Sequence, residues 1–264
     1  MNLADYDPGS LKVLLLGPSG SGKTTLACTL GPHATVLDIN NGLASAKYLK
    51  DAHTSARLQI DVRCCWDVGS RERGDYGRPD LVWNETVKQI KEYMRKPWRD
   101  VLVIDGLTDL TNAALGAVLV RAGKWAEVVS PSQPEWGAAI AQVQRLWYGL
   151  MMMKNPVVVV AHTKLVEVDG ISKEVLACYG TSLPKDILKG VDEVWYMKVR
   201  GMGEKRTYTV QSMSTGGVEC KTRRQLRDGM NANVGMVALM KSVGWTSKEH
   251  TCVSVNPQIE SLVR

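Results

Sequence analysis

The most informative segment of the chain reads Lys12-Val-Leu-Leu-Leu-Gly-Pro-Ser-Gly-Ser-Gly-Lys-Thr-Thr25. Its leucine-rich start is typical of a short buried strand, and residues 23 to 30 have a helical pattern. Between the two, the residues match G-x-x-x-x-G-K-[ST], whose glycines let backbone N–H groups converge on phosphate oxygens. The start of the helix adds the positive end of its dipole. The segment therefore predicts a strand, a phosphate-binding loop and a helix in succession.

The residues of this loop have separate predicted tasks. The ammonium group of Lys23 should reach the β- and γ-phosphates, and the hydroxyl group of Thr24 should ligate Mg²⁺. The residues expected to bind the nucleotide are Gly17, Pro18, Ser19, Gly20, Ser21, Gly22, Lys23, Thr24 and Thr25.

Two polar residues follow other apolar segments and are candidates for the same site. Asp105 comes directly after Val101 to Ile104, at the strand end where α/β proteins bind ligands. It is the predicted acidic partner of Thr24 at the metal. His162 follows the apolar run from Val157 to Ala161. Although a lone histidine in such a place is often structural, we interpret His162 as a γ-phosphate sensor.

Alternation of strands and helices indicates the fold class. Short apolar segments recur at 13–16, 36–39, 101–104, 157–161 and 194–199, and helical patterns cover 23–30, 81–95, 107–121 and 135–153. Such alternation is typical of a doubly wound α/β core with a mostly parallel sheet flanked by helices. Hairpin patterns around residues 169–170 and 200–204 predict antiparallel strands at the edge of the sheet.

Composition excludes several other classes of protein. The chain has 264 residues, of which 44% are hydrophobic and 23% charged, which is ordinary for a globular protein and favours one large domain. No apolar run approaches the roughly 20 residues of a membrane helix, and no basic segment leads into an apolar one at the N-terminus. We therefore expect a cytoplasmic protein with no membrane contact. The six cysteines form no CxxC pair, so we expect reduced thiols and no zinc site.

The net charge of +6 is concentrated in one segment. Residues 198–227 contain eight basic residues, against only Glu204 and Glu219. A basic segment in an otherwise neutral chain suggests a polyanionic partner, although a solvated basic hairpin is the alternative. Lys221 and Arg223 are separated by one residue, so in an extended segment both would face one side and grip a phosphate.

With these pieces in order, the chain resembles the RecA-like P-loop ATPases, and among them the phage-type group of single-strand annealing and recombination proteins. The resemblance runs from Lys12 to Arg227 and implies ATP and Mg²⁺ as cofactors, with a RecA-like ATPase core at 1–230 and a C-terminal helix and flexible tail at 231–264. It implies a homo-oligomer with ATP at subunit interfaces, where Lys221 and Arg223 act on a neighbour's nucleotide. If the protein is phage-encoded, its compartment would be the cytoplasm of a bacterial host.

The resemblance also implies a path for single-stranded DNA along the loops after two core strands. These loops correspond to Lys124 and Trp125 and to residues 163–184. Together with the basic segment, the predicted DNA-binding residues are Lys124, Trp125, Lys164, Lys173, Arg200, Lys205 and Arg206. Phosphate neutralisation by Lys and Arg, with stacking of aromatic rings on bases, is the physical basis of such binding.

One residue departs from the pattern of the family. Asn40 stands where the RecA-like ATPases usually have the glutamate that activates water. An amide cannot accept the proton of water as a carboxylate does, although it can orient water by hydrogen bonds. We therefore expect ATP binding with slow hydrolysis, unless another residue supplies the base.

Three other functions remain compatible with a phosphate-binding loop. A nucleotide or small-molecule kinase uses the same loop, but no arginine-rich lid is evident in the sequence. A DNA motor or helicase is disfavoured by Asn40 and by the lack of a second domain that would couple hydrolysis to a load. A nucleotide-gated scaffold would oligomerise with ATP and show no salt-sensitive affinity for DNA.

Overall fold

The computed structural model describes residues 11–31, 33–45, 49–51, 58–66, 78–95, 101–124, 130–168, 170–201, 205–215 and 217–242. The strands are β1 (Lys12–Leu16), β2 (His33–Asp38), β3 (Gln59–Cys64), β4 (Val101–Asp105), β5 (Val157–Val160), β6 (Thr163–Val168), β7 (Ile171–Leu176), β8 (Glu193–Arg200), β9 (Thr207–Gln211), β10 (Lys221–Thr222) and β11 (Met230–Asn231). The helices are α1 (Lys23–Ala27), α2 (Pro79–Arg95), α3 (Leu107–Arg121), α4 (Gln133–Met151), α5 (Ser182–Gly190) and α6 (Met236–Lys241). None of these helices is long and apolar enough to cross a membrane.

Most strands form one mixed sheet in the order β11-β9-β8-β1-β5-β4-β2-β3, with β10 paired to the first half of β8. The six strands from β8 to β3 run parallel, whereas β9, β10 and β11 add antiparallel pairs. β5 lies between the strand before the phosphate loop and the strand that ends at Asp105. The predicted fold class, a mostly parallel sheet flanked by helices with antiparallel strands, is confirmed.

The core has two halves because the central strands are buried on both faces. Leu14, Leu102 and Val159 pack on one face against α2, α3, α4 and α5. Their neighbours Leu15, Val103 and Val158 pack on the other face with residues of α1 and α6. Side chains alternate along each strand, so both faces of the sheet are apolar and both are covered by helices. Polar groups can therefore converge at the carboxyl ends of the parallel strands, which the helices do not cover.

Some predicted elements differ from the observed ones. Helix α1 ends at Ala27 instead of Leu30, because the Thr29 hydroxyl and N–H groups both bond to the carbonyl oxygen of Leu26 and tighten the turn there. The hairpin around 169–170 forms as β6 and β7, but it is a separate two-stranded sheet and does not extend the main one. In the predicted C-terminal region, α6 packs on the core, and the Met236 N–H donates to the Thr29 hydroxyl at 2.9 Å.

Candidate active site

The phosphate-binding loop lies between the end of β1 and the start of α1. Gly17, Gly20 and Gly22 have φ angles of 141°, 73° and 82°, which glycine adopts at little cost. At Gly17 a side chain is also excluded by space, because its Cβ would lie 2.8 Å from the carbonyl oxygen of Met197. The loop is therefore packed directly against β8, the strand that adjoins β1 in the sheet.

Lys23 is folded over this loop and is only 5% exposed. Its Nζ donates to the carbonyl oxygens of Gly17 at 2.9 Å and Pro18 at 2.7 Å. Burial lowers the pKa of Lys23 to about 8, although the charge of Asp105 acts in the opposite direction. A polyphosphate beside this ammonium group would favour its charged form, because an opposite charge offsets the desolvation.

Thr24 and Asp105 meet where α1 begins and β4 ends. The Thr24 hydroxyl lies 3.0 and 2.9 Å from the two carboxylate oxygens of Asp105. Burial raises the pKa of Asp105 to about 6, and the charges of Asp38 and Asp109 act in the same direction, whereas the Thr24 hydrogen bond lowers it. Mg²⁺ prefers hard oxygen ligands and is usually held by one or two carboxylates together with substrate phosphates. These two side chains therefore fit the predicted metal-binding role.

Asn40 lies in the turn that follows β2, and both ends of its amide have protein partners. Its Oδ1 accepts from the Gly42 N–H at 3.0 Å, and its Nδ2 donates to Oδ2 of Asp109 at 3.1 Å. The same Gly42 N–H also lies 3.0 Å from Oδ1 of Asp38, which is buried at the end of β2. Burial raises the pKa of Asp38, while backbone hydrogen bonds, with Gly42 foremost, oppose the rise.

His162 follows β5, as expected, and lines the cleft that Lys23 and Asp105 also line. Its backbone N–H donates to the Thr108 hydroxyl at 3.4 Å. Burial lowers the pKa of the His162 imidazole, the charge of Lys23 lowers it further, and Asp109 opposes both. The imidazole is therefore biased towards its neutral form next to the loop, and its role as a γ-phosphate sensor stays a prediction.

The cleft has a volume of about 460 Å³, and most of the predicted site residues line it together with Tyr208. A smaller hollow of about 220 Å³ adjoins it. The hollow is lined by Gly22, Thr25, Leu26, Met197, Tyr208, Ala232 and Asn233. Gly22, Thr25 and Tyr208 belong to both walls, so the two spaces join at the start of α1.

Lys221 and Arg223 lie away from this cleft, near the N-terminal end of β8. Lys221 pairs with Val194 in the sheet, and its Nζ donates to carbonyl oxygens at the end of α5, the shortest contact being 2.6 Å to Val191. Arg223 forms an ion pair with Asp192 at 2.9 Å. Because Lys221 pairs with Val194 and the loop contacts Met197, three residues further along β8, roughly 10 Å of strand separates Lys221 from its own cleft. Any action on a nucleotide would therefore be on a neighbour's, and that role stays a prediction.

The predicted DNA-binding residues occupy three separate environments. Lys124 forms an ion pair with Glu135 at 2.7 Å, and the Nζ of Lys164 donates to the carbonyl oxygen of Cys178 at 2.7 Å. Lys173 is half-buried on β7, facing Val166. Arg200 at the end of β8 and Lys205 and Arg206 just before β9 are exposed. Trp125 lies outside the described residues.

Three residues at the site were not among the predicted ones. Asp38 carried the same signal as Asp105, since it also ends an apolar strand, and the two face each other in adjacent strands. Asp109 fell within the predicted helix at 107–121, and its approach to Asn40 depends on the tight turn at Gly106. Tyr208 had no sequence signal, because its place at the cleft follows from the pairing of β9 with β8.

A glycine loop after β1, a lysine and a threonine at its end, and an aspartate one strand beyond β5 are the arrangement of a P-loop ATPase. The chain matches the family described as AAA domain over residues 10–224. That match covers most of the chain, which therefore belongs to this family.

The solved structures that are similar to the chain include the following two. One is a KaiC-like protein from Pyrococcus horikoshii, 12% identical, with 84% of this chain and 83% of that chain covered and a TM-score of 0.40. The other is the flagellar accessory protein FlaH from Methanocaldococcus jannaschii, also 12% identical, with 77% and 78% covered and a TM-score of 0.37. No curated protein matches the chain.

Proposed function

We propose that this chain binds ATP with Mg²⁺, hydrolyses it slowly, and forms a homo-oligomer that binds single-stranded DNA in phage-type recombination, annealing or replication. The observation that carries the proposal is the meeting of Lys23, Thr24 and Asp105 around the glycine loop, with Thr24 within 3.0 Å of both Asp105 oxygens. Thr24 and Asp105 would hold Mg²⁺, which when bound neutralises phosphate charge. Lys23 would bind the terminal phosphates.

The hollow beside the loop fits the base of the nucleotide. It is lined mainly by apolar groups, and the ring of Tyr208 lies 3.5 Å from where a Cβ of Gly22 would be. A flat aromatic base gains from contact with such a ring and with the side chains of Leu26 and Met197. The phosphates would then lie in the larger cleft and the base in the hollow.

The turn between β8 and β9 is the strongest candidate for a DNA contact. Arg200, Lys205 and Arg206 are exposed there, and Arg200 pairs with Thr207, the residue before Tyr208. Basic groups on an exposed turn can neutralise backbone phosphates. Their closeness to Tyr208 would bring DNA near the nucleotide, which gives ATP a short route by which to affect DNA binding.

Titration of a labelled single-stranded oligonucleotide tests the proposal. Binding is measured with and without ATP and Mg²⁺, at two salt concentrations, for the wild type, Lys23→Ala, a Lys205→Glu/Arg206→Glu variant and a Lys88→Glu/Lys91→Glu control on α2. We expect ATP to strengthen wild-type binding and Lys23→Ala to remove that gain. Each phosphate-neutralising side chain contributes about 0.7 to the slope of log K against log salt. The 205/206 variant, which lacks two of them, should therefore lose at least about 1.4 of that slope, and the other variants should keep it.

Three other outcomes would change these assignments. DNA binding that is equal in all variants would contradict the assignment of the β8–β9 turn. ATP binding without any DNA binding would contradict the DNA part of the proposal and favour the scaffold or kinase. Unchanged ATP affinity in Lys23→Ala would overturn the nucleotide site itself.

A further inference from the structure

The contact between Asn40 and Asp109 gives the site a carboxylate that the sequence pattern does not supply. Asp109 belongs to the first turn of α3, four residues after Asp105, and its Oδ2 accepts from the Asn40 Nδ2 at 3.1 Å. The amide is further fixed by the hydrogen bond from the Gly42 N–H to its Oδ1. Asn40 is thus held in one orientation, with the Asp109 carboxylate hydrogen-bonded to its amide nitrogen.

Local backbone geometry permits this approach. Gly106 has a φ of 111°, and a Cβ there would lie 3.3 Å from both Asn40 Nδ2 and Asp109 Oδ2. A residue with a side chain at 106 would therefore push against both partners. The tight turn between β4 and α3 sets Asp109 beside the turn that follows β2.

Asp109 also lies close to the groups that surround the terminal phosphate in the proposed function. Its charge influences both Asp105 and His162, and Asn40, Asp105 and His162 all line the cleft. Asp105 is bonded to Thr24, and Asp38 accepts from the Gly42 N–H. Asp109 is bonded instead to the residue that stands in the water-activating position.

We propose that Asn40 and Asp109 act as a pair in place of the single glutamate, with Asn40 orienting the attacking water and Asp109 accepting its proton. The inference rests on the proposed function, since it requires ATP in the cleft. The water oxygen forms a bond to the γ-phosphorus, and the bond from that phosphorus to the β–γ bridging oxygen breaks. The electron pair leaves with ADP, and the proton passes from water to Asp109 and then to phosphate or solvent.

Single-turnover hydrolysis with protein in excess over ATP, with and without a single-stranded oligonucleotide, tests the pair. General-base catalysis is worth about 10²–10⁴-fold, so Asp109→Asn should slow hydrolysis by about 10²-fold or more. The affinity for the β,γ-imido analogue of ATP, measured by calorimetry in Mg²⁺, should change by less than about threefold. A general base acts in the transition state, so its loss should slow hydrolysis without weakening nucleotide binding. Asp61→Asn on β3 is the matched control and should leave both quantities unchanged.

A relocated carboxylate separates catalysis from structural damage. Asn40→Glu/Asp109→Asn puts the acid where other members of the wider class have it, and it should restore hydrolysis to at least the wild-type rate. A structural role for Asp109 predicts no such rescue.

Two outcomes would overturn the inference. One is hydrolysis by Asp109→Asn within about threefold of the wild type, which is too small an effect for a general base. The other is a wild-type rate no faster than that of Asn40→Ala/Asp109→Asn. Failure of the proposed function is distinct, because it would appear as loss of binding of the imido analogue to the wild type.

Discussion

At the scale of single residues, burial sets the protonation of the two charged groups beside the loop. It lowers the pKa of Lys23 to about 8 and raises that of Asp105 to about 6. Both shifts disfavour the charged forms that, under the proposed function, would bind phosphate and metal. Ligand binding must therefore shift these protonation states, and the shift can be measured.

For Lys23 the expected effect is proton uptake. At pH 8 its ammonium group is about half protonated in the ATP-free protein, and phosphate charge raises its pKa, so binding of ATP should take up about half a proton. Calorimetry in two buffers of different ionisation enthalpy gives this number. Lys23→Met should abolish the uptake and Lys91→Met should retain it, whereas uptake that persists in Lys23→Met would assign the proton to another group.

At the scale of elements, the local sequence pattern was sufficient to predict most of the core strands and the phosphate-binding loop. The strands near Leu14, Val103 and Val158 are continuous apolar runs, and α3 matched its predicted bounds because Gly106 and Gly123, both with positive φ, stand just outside its two ends. β3 was missed because four of its six residues are exposed at the edge of the sheet. The partners of Lys221 could not be predicted, since they depend on how β10 and α5 meet.

Lys221 is expected to stabilise the end of α5. Its Nζ contacts carbonyl oxygens of Leu188, Lys189 and Val191, and a positive charge there also offsets the helix dipole. Lys221→Met should lower the free energy of unfolding by about 1–2 kcal/mol, measured by urea titration without nucleotide. Lys91→Met, an exposed change on α2, should have little effect. Equal stability of the two variants would contradict this structural role. The predicted action on a neighbour's nucleotide would then be the one remaining role for Lys221.

At the scale of the whole molecule, Lys12 joins parts of the chain that are distant in sequence. It is 3% exposed, and its Nζ donates at 2.8 Å to the carbonyl oxygens of Met153 and Asn155, after α4. Its own N–H donates to Asp192, just before β8. Burial lowers the pKa of Lys12 to about 8, with Asp192 acting in the opposite direction.

This lowered pKa predicts a pH dependence of stability. An unfolded lysine titrates near pH 10.4, so between about pH 8 and pH 10 the unfolded chain binds the proton that the folded chain has released. The Lys12 contribution to the free energy of unfolding should therefore rise with pH in this window and be constant below it. Urea unfolding at pH 8, 9 and 10 measures the slope. Lys12→Met should have a smaller slope than the wild type, and identical slopes would contradict the prediction.

The contact between Gly17 and Met197 links β8 to both of the proposed binding sites. β8 touches the phosphate loop at Met197 and ends at Arg200, three residues later, where the exposed basic turn begins. Under the proposed function, ATP and DNA would each bind against the same short segment of backbone. Thermodynamic linkage then requires reciprocity, since any factor by which ATP tightens DNA binding is the factor by which DNA tightens ATP binding. A nucleic-acid strand would thus retain nucleotide on the protein as strongly as nucleotide retains the strand.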